Sequence, residues 1–192
     1  MNGRADGVAG TRERIARGAL ALILEHWFED VTLADIARAG EVSHQTVLNH
    51  FGSKEGAVRA AIEVLGQETM QRRAAAVPGD VHGAVHVLVG EYERFGDSNT
   101  RWAVSSERLG SLAPLLDEAM AAHQAWLEQV FGPRLPTQQA ARRLAVTALH
   151  VATDVYTWKL LRRHLRLGRG ETERTMVELV AGVLARIAEE DR

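Results

Sequence analysis

The sequence predicts an all-α protein. Apolar residues recur at helical spacing from Ile15 to Ile187, no run alternates as a strand does, and the breaks between runs are caps, glycines and prolines. No internal period repeats. A chain of 192 residues can bury one or two cores. About nine helices are expected, in an N-terminal helix-turn-helix domain and a C-terminal helical domain.

Residues 1–10 hold Gly3, Gly7 and Gly10 and no apolar run, so they read as a flexible arm without a signal peptide. Thr11 is placed to cap a first helix over residues 12–27, with Ile15, Ala19, Leu22, Ile23 and Trp27 as its buried stripe.

The chain is organised around residues 32–55, TLADIARAGEVSHQTVLNHFGSKE. Thr32 can cap a short helix, and Asp35 stands at the capping-box spacing. Leu33, Ile36 and Ala37 form its apolar face; residues 39–42 read as the turn, with Gly40 supplying a positive φ. Ser43 can cap a second helix that turns Val47 and Phe51 inward, and Gly52-Ser53 ends it and starts the next. This is the helix-turn-helix layout, whose second helix enters the DNA major groove.

That second helix exposes His44, Gln45, Thr46, Asn49 and His50, all hydrogen-bonding groups, and carries no Glu, Lys or Arg. Gln and Asn can pair with adenine edges; Thr can give a methyl to thymine or a hydroxyl to phosphate. An αα-hairpin with a polar outer face accounts for the same residues without DNA.

Here the sequence resembles the TetR family of bacterial transcriptional repressors. The resemblance covers roughly residues 11–60. It rests on Thr32, Ile36-Ala37, Val42-Ser43, Thr46, His50-Phe51 and Ser53-Lys54-Glu55 taken as a set. Two departures stand out: Glu41 where the family usually has glycine, and Leu48 where it usually has a phosphate-contacting tyrosine. The resemblance and the exposed residues together assign DNA contact to Thr32, Ser43, His44, Gln45, Thr46, Asn49, His50 and Lys54.

Downstream, a helix from Ser53 to about residue 75 belongs to both halves, and the domain boundary is set inside it near Leu65. The domains are then residues 11–65, for DNA, and 66–192, for ligand binding and dimerisation. Pro78-Gly79 breaks the chain and Asp80 opens a helix over residues 80–95. Residues 96–99 read as a turn, 100–109 as a short helix, and 114–131 as the next, holding Leu116, Met120, His123, Trp126 and Leu127. Residues 137–165 read as one helix of about 44 Å. Residues 171–189 close the chain with Met176, Val180, Val183, Leu184 and Ile187 at helical spacing.

The last two helices, over residues 137–189, carry wide apolar faces, with Leu144, Ala148, Val151 and Val155 on the first. In proteins resembling this one they form a four-helix homodimer interface, and a single reading helix covers too few bases alone. Tyr92, Trp102, Glu107, His123, Trp126, His150, Asp154 and Trp158 are polar or aromatic groups on mostly apolar helices. The family places an effector cavity among such helices, suited to an apolar or ring-bearing small molecule. Equally, His150 and Asp154 can pair with each other and the tryptophans fill core.

Other chemistries find little support. There is no cysteine, so no disulfide or thiolate metal site. His82 and His86 lie at i, i+4, but no third zinc ligand follows the His-Glu-x-x-His pattern. No phosphate loop, dinucleotide fingerprint or nucleophile elbow occurs, so neither cofactor nor catalysis is expected. No run reaches the ~20 apolar residues of a membrane span, which points to a cytoplasmic protein. Residues 1–60 carry seven basic and eight acidic side chains, not the usual basic footprint of a DNA binder. Arg4, Arg12, Arg14 and Lys54 would have to face the DNA backbone. The leading reading is a ligand-responsive, homodimeric repressor on a near-palindromic duplex operator. The alternative is an α-helical enzyme, small-molecule carrier or interaction protein with a degenerate helix-turn-helix.

Overall fold

The computed structural model describes residues 3–190. The described residues are helical and contain no strand, as the fold class requires. In order they form α1 (Gly3–Glu25), α2 (Leu33–Ala39), α3 (His44–Phe51), α4 (Lys54–Arg73) and α5 (Val81–Arg108). Then come α6 (Ala113–Phe131), α7 (Gln139–Thr153), α8 (Val155–Lys159) and α9 (Arg169–Glu190). No described helix is long and apolar enough to cross a membrane.

The chain forms two compact units, one running up to Thr69 and including Arg101–Asp117, the other made of Met70–Thr100 and the residues from Glu118 on. The expected boundary near Leu65 falls four residues before the observed one, inside α4. The return of residues 101–117 to the first unit was not expected. Helical periodicity marks which face of a segment is buried and not which core receives it.

The first unit is built on α1. Ile15, Ala19 and Ile23 are buried with Ile36, Ala37, Val47 and Val58. Close approach is set at Gly18, where an added Cβ would lie 2.8 Å from the Ala39 carbonyl carbon and 2.9 Å from Gly40 N. Three expectations about α1 change. Its helix starts at Gly3, so residues 3–10 are helical where a flexible arm was expected; Met1, Asn2 and the Arg4 side chain lie outside the described residues. Thr11 caps nothing, because its hydroxyl donates back to the Gly7 carbonyl at 2.9 Å. Trp27 lies beyond the helix end and is exposed, and Phe28 in the following 3-10 turn takes the buried place.

Downstream, two breaks differ from those the sequence predicts. Residues 96–99 are not a turn; α5 runs through them, and Gly96 is there for Trp158, whose Cζ3 lies 2.3 Å from where a Cβ would stand. The expected helix over residues 137–165 is broken at Asp154, which is extended (φ −68°, ψ 151°) and accepts a hydrogen bond from Tyr156 N to start α8. After α8 the chain widens: Leu165 N donates five residues back to Leu160 O at 2.8 Å. In α6, Leu115 rather than Leu116 is buried and Met120 is exposed.

The apolar faces of the last helices also divide differently. Met176, Val180, Leu184 and Ile187 of α9 are buried in their own unit with Leu149 and Trp158. They are core, not a free face. Large apolar side chains left exposed include Leu144 (59%) and Val151 (63%) on α7 and Leu179 (44%) on α9, with Tyr156, Leu160 and Leu165 in the chain between the two helices.

Candidate nucleic-acid interface

The residues expected to face DNA lie on a short, heavily capped scaffold. Thr32 caps α2 in a complete capping box: Asp35 N donates to Thr32 Oγ1 at 3.2 Å and Thr32 N to Asp35 Oδ2 at 3.0 Å. The Thr32 hydroxyl donates to the same carboxylate at 2.6 Å. These bonds hold the Asp35 carboxyl below its usual range. The Thr32 hydroxyl, expected at a phosphate, thus serves the cap in this structure.

Between α2 and α3 the left-handed residue is Glu41 (φ 53°), and Gly40 is right-handed (φ −85°). This corrects the turn expected at Gly40. That glycine serves closeness instead, because a Cβ there would lie 3.1 Å from Ile15 Cα. Its carbonyl accepts from Arg14 Nε at 3.1 Å.

Ser43 caps α3, accepting from Thr46 N at 3.1 Å, and its Oγ lies 2.8 Å from Thr46 Oγ1. Val47 anchors the helix with no exposed surface. At the far end Gly52 takes φ 74° and its N–H donates to Leu48 O. Arg12 donates to the His50 carbonyl at 2.9 Å and lies 4.5 Å over the Phe51 ring. A cation at the helix C-terminus also suits the helix dipole. With Val47 inward, His44, Gln45 and Asn49 are exposed and Thr46 and His50 half-buried. Gln45 Nε2 donates to Asn49 Oδ1 at 3.0 Å.

Lys54 is corrected. Its ammonium donates to the carbonyls of Phe28 at 3.0 Å and Val31 at 2.9 Å, and sits 4.0 Å over the Phe28 ring. It ties the start of α4 to the segment before α2. Arg12 and Arg14, both exposed, likewise bond carbonyls of the motif, so these basic side chains brace it from its surface.

The expected effector residues fall into two places. Trp102 packs against the first unit's core and Glu107 is exposed on the same unit. Tyr92, His123, Trp126, His150, Asp154 and Trp158 are all in the second unit. There sequence reasoning missed the central pair. Arg73 makes a two-pronged bond to Glu91, with both distances 2.9 Å, and donates to His123 Nδ1 at 3.0 Å. His123 Nε2 bonds Thr153 Oγ1 at 2.9 Å, and Tyr92 donates to Thr153 O at 2.9 Å. Trp126 donates to the Arg73 carbonyl at 3.3 Å. Burial pushes the Tyr92 hydroxyl well above its usual range. His150 pairs with Asp154 at 3.3 Å, while its Nδ1 is buried without a hydrogen-bond partner. Trp158 donates to Glu93, which Arg162 also grips; the Arg162 bond is the first cause of a lowered Glu93 carboxyl. Among the described residues no three His, Asp or Glu side chains gather as a metal site.

Comparison with known proteins places the motif. A family model described as "Bacterial regulatory proteins, tetR family" matches residues 15–68, all within the first unit. The HTH-type transcriptional repressor Rv3405c of Mycobacterium tuberculosis is 27% identical over 187 residues, covering 91% of this chain and 87% of that protein. Residues 15–68 of this chain carry the tetR-family motif.

That motif is the helix-turn-helix formed by α2 and α3. The regulator AlkX of Mycobacterium tuberculosis is 33% identical over 85 residues, which are 44% of this chain and 36% of AlkX. A tetR-family regulator from Streptomyces coelicolor shares the fold, with a TM-score of 0.74 at 20% identity over 94% of this chain and 82% of that one. Both α2 and α3 lie within the matched residues.

Proposed function

We propose that this protein is a repressor that binds a near-palindromic duplex operator as a homodimer and responds to a small molecule. The supporting observation is α3: a helix capped by Ser43, anchored by Val47, and exposing His44, Gln45 and Asn49. In this reading His44, Gln45, Thr46 and Asn49 meet base edges and Ser43 and His50 approach phosphates. Thr32 and Lys54 support the motif without touching DNA. Residues up to Thr69 are the DNA-binding part.

A second copy covers Leu144, Val151 and Leu179, and the paired α3 helices then reach half-sites about one DNA turn apart. Leu144→Glu with Val151→Glu should yield a monomer in sedimentation and weaken operator binding. A dimer unaffected by both changes would move the interface elsewhere.

The second unit takes the effector. Tyr92, Trp126 and Trp158 are buried ring groups there, around which a ring-bearing molecule would have to open space, and His150 Nδ1 is a buried polar atom without a hydrogen-bond partner. Such a molecule changes DNA affinity only by its differential affinity for two arrangements of the dimer. The reading is cytoplasmic, carries no catalytic step and needs no cofactor. It is tested by fluorescence anisotropy against duplexes tiled across the gene's own upstream region at two salt concentrations. Saturable binding of two chains to one tile supports it; equal binding to every tile overturns it.

A further inference from the structure

We propose that Gln45 and Asn49 form one reading unit for adenine and that Thr46 reads the methyl of a neighbouring thymine. Each operator half-site then presents A·T pairs to α3. The inference rests on the repressor reading above and adds the base chemistry.

The bond from Gln45 Nε2 to Asn49 Oδ1, 3.0 Å long, joins two exposed side chains one helical turn apart. A primary amide has one oxygen and two N–H groups. With one N–H on Asn49, Gln45 keeps an acceptor beside a single donor. That pair is the complement of adenine, which offers an N6–H donor next to the N7 acceptor. Guanine offers two acceptors, N7 and O6, and asks for two donors on the same side. The bond to Asn49 also holds the amide before DNA arrives, which lowers the ordering cost of binding.

Thr46 is constrained in the same way. Its hydroxyl is 2.8 Å from Ser43 Oγ, the atom that caps the helix by accepting from Thr46 N. The hydroxyl is therefore turned to the cap, and the group left for a base is the methyl. Thymine is the base with a methyl in the major groove. Thr46 follows Gln45 directly, so the two address neighbouring pairs.

The test begins with selection of preferred duplexes from a randomised pool by the full-length protein. Each adenine of the selected site is then replaced by 7-deazaadenine, and each thymine by uracil. The expected result is one adenine per half-site whose replacement weakens binding about 5- to 100-fold. Gln45→Ala should abolish that sensitivity, and Asn49→Ala should reduce it. One neighbouring thymine should lose affinity as uracil, a sensitivity kept in Thr46→Val and lost in Thr46→Ser. Selected half-sites indifferent to both analogues, or lost binding in Thr46→Val with no uracil effect, would overturn the inference and leave the repressor reading intact. Failure to select any sequence would overturn both.

Discussion

Arg73 donates to His123 Nδ1 at 3.0 Å, which leaves Nε2 to carry the proton toward Thr153 Oγ1 at 2.9 Å. Thr153 in turn donates to Leu149 O at 2.7 Å. Burial, then the charges of Arg73 and His150, depress the imidazole from 6.5 to about 3, with Asp154 opposing. His123 is thus a neutral histidine at every physiological pH. In the unfolded chain it protonates near 6.5, so between pH 6.5 and about 3 the unfolded state binds more protons. Its stabilising contribution is complete above pH 6.5 and declines as pH falls, by about 1.4 kcal/mol per unit. His123→Gln retains an acceptor for Arg73 and a donor for Thr153. Urea unfolding at pH 6.5 and 5 should show the native protein losing about 2 kcal/mol more than this variant. Equal losses would mean that His123 is protonated in the fold.

The pair of Arg73 and Glu91 is 8% and 4% exposed and bonded through both guanidinium prongs. Removing one partner leaves a buried charge, so Arg73→Met should cost about 3–5 kcal/mol in chemical denaturation. Arg73→Met combined with Glu91→Leu removes both charges and should cost less than the single change. A double variant worse than the single would show that the pair stabilises the fold beyond its own desolvation.

Glu41 stands in the left-handed region at φ 53°. A side chain there costs about 1–2 kcal/mol of strain, offset in part by the entropy glycine loses on folding. Glu41→Gly should therefore stabilise by about 0.5–1 kcal/mol and raise the melting temperature by about 2 °C. A lower melting temperature would show that Glu41 has a compensating role in the turn.

Lys54 separates two roles for the same charge. As a clamp on Phe28 O and Val31 O, its loss in Lys54→Met should cost about 1–3 kcal/mol, because two carbonyls lose their donor. The salt dependence of DNA binding should keep its slope. A phosphate contact would give the reverse: little change in stability and a slope shallower by about one.

The sequence made the motif legible because its signals are local. Thr32 with Asp35, Ser43 before His44, and Gly52-Ser53 act within three residues, and Val47 follows from helical spacing. What escaped depends on distant partners. Gly96 looks like a turn residue until Trp158, from another helix, is placed against it. Asp154 sits in an unbroken apolar period and still ends α7, because its carboxylate caps α8. Arg73, Glu91 and Thr153 read as ordinary helix surface or filler; only their meeting from α4, α5 and α7 makes a buried network. Lys54 fits its family motif but turns inward, which a motif does not encode.

The most direct test of the account is the specificity ratio, measured as affinity for the selected operator over affinity for a scrambled duplex at one fixed salt concentration. It is compared between the native protein and a variant carrying His44→Ala, Gln45→Ala and Asn49→Ala. These three side chains are exposed, so the variant should keep the native melting temperature and helical circular dichroism. The account predicts that its ratio falls close to one while weak, salt-sensitive binding remains. A folded variant with the native ratio would contradict the claim that α3 reads the operator.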